Sequence, residues 1–304
     1  MAQDDAPDPF ADLADWAKET ERKVRAERRR GGLLRKVPMV IVGAGALLAT
    51  ALVVPQVWPS ASGDGPSAPA DVTATTSRSA AVTGPFAGTP AAGYPLGAAG
   101  ITLPKATAVE GFTATQVSAA LGKVRRALIA SRLDDEMLTG HNPAGLLDLL
   151  APNARARIVK SFEARTAGAF ATWIDPAVQL DPREQPRVSG RITYASTVVD
   201  GMRTLRVTTN FVFVYAFTGA GHPLAAAHDE LQWEFPSTRN LRAGDRGMWM
   251  GDATSYTALV DCDAASRGLL APTVHPAEPE PDETEDPKEL LRADHDLDIQ
   301  DDCA

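Results

Sequence analysis

The sequence predicts an α+β fold: three helices packed on a four-stranded antiparallel sheet, set behind a single transmembrane helix and a linker. Three observations carry that prediction. Apolar residues recur at helical spacing between residues 112 and 162, and at a spacing of two between residues 188 and 262. Asp200-Gly201, between two of the alternating runs, is the strongest short hairpin signal. Val37–Trp58 is an uncharged apolar run, and about 20 such residues suffice to cross a bilayer.

Residues 1–36 form a leader with 9 basic and 8 acidic side chains. Phe10, Leu13, Trp16 and Ala17 make a short apolar stripe within it. The leader reads as a solvated, charge-laced segment; the alternative is a docking helix for a cytoplasmic partner or for anionic lipid. Arg28, Arg29, Arg30, Arg35 and Lys36 stand just before the apolar run, and the next basic residue after it is Arg78. This asymmetry places the N-terminus in the cytoplasm and the C-terminal domain outside the cell membrane, which the chain spans once. Cleavage at Ser60-Ala61-Ser62, which would release the domain, is the competing reading. Against it, the leader is long for a signal peptide and the apolar run exceeds the usual signal core.

Residues 59–100 are rich in Pro, Ala, Gly, Ser and Thr, with only Asp64, Asp71 and Arg78 charged, and read as a disordered linker. Its reach would be about 35 Å as a coil and about 130 Å fully extended. The folded domain is expected over residues 101–265, with 17 basic and 17 acidic side chains. A neutral domain gives no electrostatic case for nucleic-acid binding. Residues 266–304 form a tail with 12 acidic and 3 basic side chains. The cysteines, Cys262 and Cys303, both follow the membrane segment. An oxidising exterior favours their pairing, which would close a loop worth about 4 kcal/mol and fold the tail back over the domain. Leu290, Leu291, Leu297 and Ile299 then read as its anchors; the competing reading is two free thiols and a free, disordered acidic tail.

The first helix starts at Thr113, where Thr113 and Gln116 make a capping box and Phe112 can staple onto Val117. Val117, Leu121, Val124 and Leu128 give it one apolar face, and it runs to about Leu133. Asn142-Pro143 opens a second helix with core candidates Leu146, Leu147, Leu149 and Leu150. Ala151-Pro152-Asn153 starts a third, carrying Ile158, Val159 and Phe162. Residues 166–187 read as irregular. Strands follow at Val188–Val199, Met202–Phe217 and Ala225–Phe235, and a final pair of segments, Gly247–Met250 and Ser255–Cys262, closes the sheet. Leu205, Val207, Phe211, Phe213, Tyr215 and Phe217 share one face, so one side of the sheet is expected to be apolar.

No GxSxG, P-loop, HExxH or CxxC motif occurs. No catalytic or metal-binding residue is therefore assigned, and no cofactor is expected. His228-Asp229-Glu230 lies on a strand, so His228 and Glu230 face one way and Asp229 the other. A proton-transfer pair of His228 with Asp252 competes with a plain polar strand face, which is the reading preferred here. Asp294, Asp296 and Asp298 alternate as in a calcium loop but lack its glycine and distal glutamate. Asp134-Asp135-Glu136 reads as a solvated helix end, and Arg155, Arg157 and Lys160 as a solvated face.

One membrane helix, a linker, then three helices and four strands resembles the cone-like, nuclear-transport-factor-2-like fold. It is similar more narrowly to the extracytoplasmic domains of VirB8-type secretion proteins and of actinobacterial Mce-associated membrane proteins. The stretches HNPAGLLDLLAPNARARI, HDELQWEF and GDRGMWM are similar to a set of uncharacterised actinobacterial exported proteins. The VirB8-type resemblance implies assembly and scaffolding without catalysis. The same fold also hosts isomerases and hydratases, so fold alone does not decide function.

Two functions are expected on this basis. The first is a single-pass, membrane-anchored, non-enzymatic accessory or scaffold protein, contacting other membrane or cell-envelope proteins or a second copy of itself. The second is a small-molecule-binding or lyase/isomerase-type domain with a pocket between sheet and helices, for which Tyr194, Asn210, Tyr215 and His228 are the lining candidates.

Overall fold

A computed structural model describes residues 84–238, 241–273, 286–299 and 303. The leader, the run Val37–Trp58 with its flank of Arg28, Arg29, Arg30, Arg35 and Lys36, and residues 59–83 lie outside the described residues. Among the described residues, no helix is long and apolar enough to cross a membrane. Those residues form an α+β fold with one four-stranded antiparallel sheet and five α-helices, two more than the sequence predicts.

Helix α1 (Ala114–Arg132) begins where expected. Thr113 accepts from Gln116 N and the Gln116 side chain accepts from Thr113 N, completing the capping box. Val117, Leu121, Val124 and Leu128 are all buried. The acidic run after it is a capped restart: Asp134 accepts from Glu136 N and opens the one-turn helix α2 (Asp135–Leu138). The expected second helix shrinks to one turn, α3 (Ala144–Leu147). Its Leu146 and Leu150 are buried, whereas Leu147 and Leu149 are half-buried. Helix α4 (Pro152–Glu163) starts on its proline and buries Ala154 and Phe162.

The strands are β1 (Arg187–Val199), β2 (Met202–Ala216), β3 (Leu224–Pro236) and β4 (Trp249–Ala258), in the order β1-β2-β3-β4. Val199 pairs with Met202. Asp200 (φ 48°) and Gly201 (φ 78°) between them both take the left-handed region that a tight two-residue hairpin requires. The two final segments are in fact one strand. The β3–β4 register shifts between Leu231 and Trp233. Leu231 pairs with Ala253 and Trp233 with Met250, so β4 carries one extra residue there. A bulge of that kind interrupts the alternation, which is why a single strand reads as two. Beyond β4, Cys262–Ser266 forms helix α5 instead of extending the sheet, because Asp261 caps it by accepting from Ala264 N.

Leu205, Val207, Phe211, Phe213, Tyr215 and Phe217 face the helices, as the alternation predicts. The opposite face departs from expectation. At one end of the sheet Val212, Val214, Ala216, Ala226, Tyr256 and Ala258 form a second apolar cluster with Phe86, Ala91, Leu224 and Leu291. Two segments supply its cover. Residues 84–100, assigned to the disordered linker, form two 3-10 turns, Pro90–Gly93 and Gly97–Gly100. Phe86 is buried, with the Arg187 guanidinium 4.9 Å from its ring centre. Val188 N donates to Pro95 O and Gly97 N to Pro186 O, tying this segment to the edge of β1. A Cβ on Gly100 would collide with the Val188 carbonyl, so the close approach needs glycine there. The composition of 84–100 suits a linker, but two aromatics, Phe86 and Tyr94, and a few small residues suffice to cover an apolar strand face.

The tail is the other cover. Leu291 is buried, and Leu290, Leu297 and Ile299 pack against the same cluster. Cys262 and Cys303 are disulfide-bonded, with their Cα atoms 5.2 Å apart.

Candidate functional site

The four residues proposed to line one pocket are separated by strand alternation. Tyr194 and Tyr215 occupy the helix-facing side, whereas Asn210 and His228 occupy the other. The two tyrosines also sit far apart along the sheet: Tyr194 pairs with Val207, and Tyr215 with Ala225. Only Asn210 and His228 come together.

Each of the four is engaged internally. Tyr194 Oη donates to Lys105 O at 2.9 Å and accepts from Thr107 N at 2.9 Å. His228 has no exposed surface. Its Nδ1 is 2.9 Å from Tyr256 Oη, and Tyr256 in turn donates to Leu290 O in the tail at 2.7 Å. With the tyrosine proton given to Leu290, the imidazole proton belongs on Nδ1. Nε2 lies 3.1 Å from Asn210 Oδ1, and Asn210 Nδ2 donates to Glu230 at 3.3 Å. A second proton on Nε2 would complete the contact to Asn210. Burial opposes it, reinforced by positive charge on His295 and Arg191, and holds the ring down at about 4. His228 is thus a structural pin beneath the tail. Asp252 is exposed at the β4 bulge and is not among its partners.

A second polar cluster lies on the helix side, and sequence reasoning missed its centre. Arg132 and Asp229 are both buried. Arg132 Nε and Nη2 reach Asp229 Oδ2 at 3.0 and 2.8 Å, and Nη2 also donates to Gly168 O at 3.1 Å. A closed ring follows: Arg132 Nη1 donates to Thr172 Oγ1 (2.8 Å), the Thr172 hydroxyl to Tyr215 Oη (3.0 Å), and Tyr215 back to Arg132 O (2.9 Å). Burial pushes the Tyr215 phenol up to about 12. Burial also raises the Asp229 carboxyl to about 6, against the opposing charge and hydrogen bond of Arg132. A signal for the pair was present: Asp229 alternates onto the face of Leu231 and Trp233, and an acid on an apolar face calls for a buried cation.

The remaining candidates resolve as structure. Asp294 is bonded through both oxygens by Arg292, and Asp296 accepts from Asp298 N. Among the described residues, no group of three or more His, Cys, Asp or Glu could hold a metal ion. Arg155 donates to Leu147 O and pairs with Asp148. Arg157 lies over the Trp249 ring.

Open space lies elsewhere. A groove of about 280 Å³ sits between the first half of α1 and the sheet end nearest the β1–β2 hairpin. Phe112, Ala119, Ala120, Leu205 and Phe235 line it, with Lys123 among its few polar groups. A smaller cavity of about 100 Å³ lies beside Arg132, Thr172 and Trp173. Comparison with protein-family models, with curated proteins and with solved structures gave no match.

Proposed function

We propose that the chain is a single-pass, membrane-anchored, non-enzymatic accessory or scaffold protein that acts outside the cytoplasmic membrane through protein contacts. The observation that carries this reading is the internal use of its candidate polar groups. Tyr194, Asn210, Tyr215 and His228 spend their hydrogen bonds on the fold itself. Side chains committed in this way lock a domain's shape and are not presented to a substrate.

Two further features agree with it. The Cys262–Cys303 bond fits an oxidising compartment. The order of helices and strands resembles that of VirB8-type and Mce-associated domains. The partner-facing region we favour is the β1–β2 hairpin end, opposite the tail, where Val198 and Met202 are exposed.

The test is site-specific photo-crosslinking in intact membranes, with the probe at Val198 or Met202 and, for comparison, at Lys288 in the tail. The reading expects one discrete protein adduct, a partner or a second copy, from the hairpin positions only. Equal labelling from both ends, or none, would overturn it.

A further inference from the structure

The groove beside α1 has a composition that scaffolding does not explain. Its floor is apolar, built from Phe112 (7% exposed), Ala120 (5%) and Leu205 (1%), with Phe235 beside them. Among the described residues that line it, none is acidic. Lys123 lines it half-buried, and among the described residues its ammonium has no ion-pair partner. The carboxylates next in sequence to the lining residues Gly111 and Phe235 have partners of their own: Glu110 meets Arg203 at 2.6 Å and Glu234 meets Arg206 at 2.6 Å. Burial, with Arg126 adding like charge, lowers the Lys123 pKa. A partly desolvated cation without an anion gains from an incoming one.

We propose that this groove binds a small apolar molecule bearing one carboxylate, its apolar body on Phe112, Leu205 and Phe235 and its anion on Lys123. Size excludes a large ligand: about 280 Å³ falls just under the roughly 300 Å³ at which small-molecule sites ordinarily begin. An aromatic acid with a short alkyl spacer matches both the volume and the single charge. Ser237 and Thr238 also line the groove, and a hydroxyl there would donate to the second carboxylate oxygen.

The experiment uses the 304-residue chain in lipid nanodiscs, with empty nanodiscs subtracting partition into lipid. Radiolabelled 4-phenylbutyrate is the probe in equilibrium dialysis; 4-phenylbutylamine and 4-phenylbutanol match its body without its charge. The expected result is saturable binding of the acid, with the amine at least tenfold weaker. Lys123→Gln should weaken the acid about tenfold, the scale of one charge-assisted hydrogen bond, and Lys123→Arg should retain it. Ala119→Trp, at an exposed position on the groove wall, should abolish binding by filling the space while leaving the melting temperature unchanged. Binding of acid and amine with equal affinity, no saturable binding, or indifference to both Lys123→Gln and Ala119→Trp would overturn the proposal. None of these results bears on the hairpin crosslinks, so the two readings fail separately.

Discussion

His228 and Asp229 are consecutive residues of β3, both fully buried, and they project through opposite faces of the sheet. His228 reaches Tyr256 and the tail beneath which it lies. Asp229 reaches Arg132 at the end of α1. One residue thus sits in the polar centre under the tail and the next in the polar centre under the helices. Their titrations oppose one another.

The His228 ring is held at about 4, against an ordinary value of 6.5. Between those values the unfolded chain binds the extra proton, so this residue's contribution is complete above pH 6.5 and is lost as pH falls towards 4. Asp229 is raised from 3.8 to about 6. Between those values the folded chain binds the extra proton, so acidification from pH 6 to 4 adds stability. The two contributions have opposite signs over this range. Denaturant titrations between pH 4 and 7 separate them when one group is removed at a time. His228→Gln should gain stability on acidification, and Asp229→Asn should lose it. Parallel slopes in the two variants would contradict the assignment.

Breaking the Arg132–Asp229 pair from one side leaves an unmatched buried group. Asp229→Leu should cost about 3–5 kcal/mol, read from urea unfolding. Adding Arg132→Met to it should recover most of that loss, because a hydrophobic pair of similar volume removes the stranded charge. A double variant no more stable than the single one would argue against the pair as the source.

The disulfide closes a loop of sequence separation 41, which corresponds to about 4 kcal/mol in the chain-entropy account. Reduction, or Cys303→Ser, should lower the melting temperature and increase binding of an apolar dye as the cluster of Val212, Val214 and Tyr256 is uncovered. Leu291→Ala, at a fully buried position, should cost about 2–5 kcal/mol with the disulfide intact. Dye binding that does not change on reduction would mean that the tail stays seated without its bond.

Residues 84–100 belong to the folded unit, so Phe86→Ala should cost about 3–5 kcal/mol. A chain beginning at residue 84 should melt higher than one beginning at residue 101. Equal melting temperatures would return this segment to the linker.

Much of the layer pattern was legible from local chemistry. The capping box at Thr113, the apolar stripe through Val117 and Leu128, the Asp200-Gly201 turn and the odd-numbered apolar face of β2 are all short-range statements. Neighbouring residues determine them before any distant contact forms. The site was less legible. Tyr194, Asn210, Tyr215 and His228 looked like one polar constellation, yet whether residues on separate strands converge depends on register and on which face each occupies.

The sequence alone determined the spacing of helices and strands, the basic and acidic blocks and the presence of two cysteines that could pair. These are one-dimensional patterns with a local physical cause. Only the tertiary structure decided what covers the second face of the sheet. Val212, Val214 and Ala216 already advertised an apolar strip there, but its cover comes from Phe86 and Leu291 at the two ends of the domain. A low-complexity segment and an acidic tail each hold only a few apolar residues, too few to reveal a partner by periodicity. Their contribution exists once the sheet has brought a matching surface within reach. The same holds for Lys123, an ordinary helix lysine in the sequence, whose place beside an apolar groove emerges only when α1 is laid across the end of the sheet.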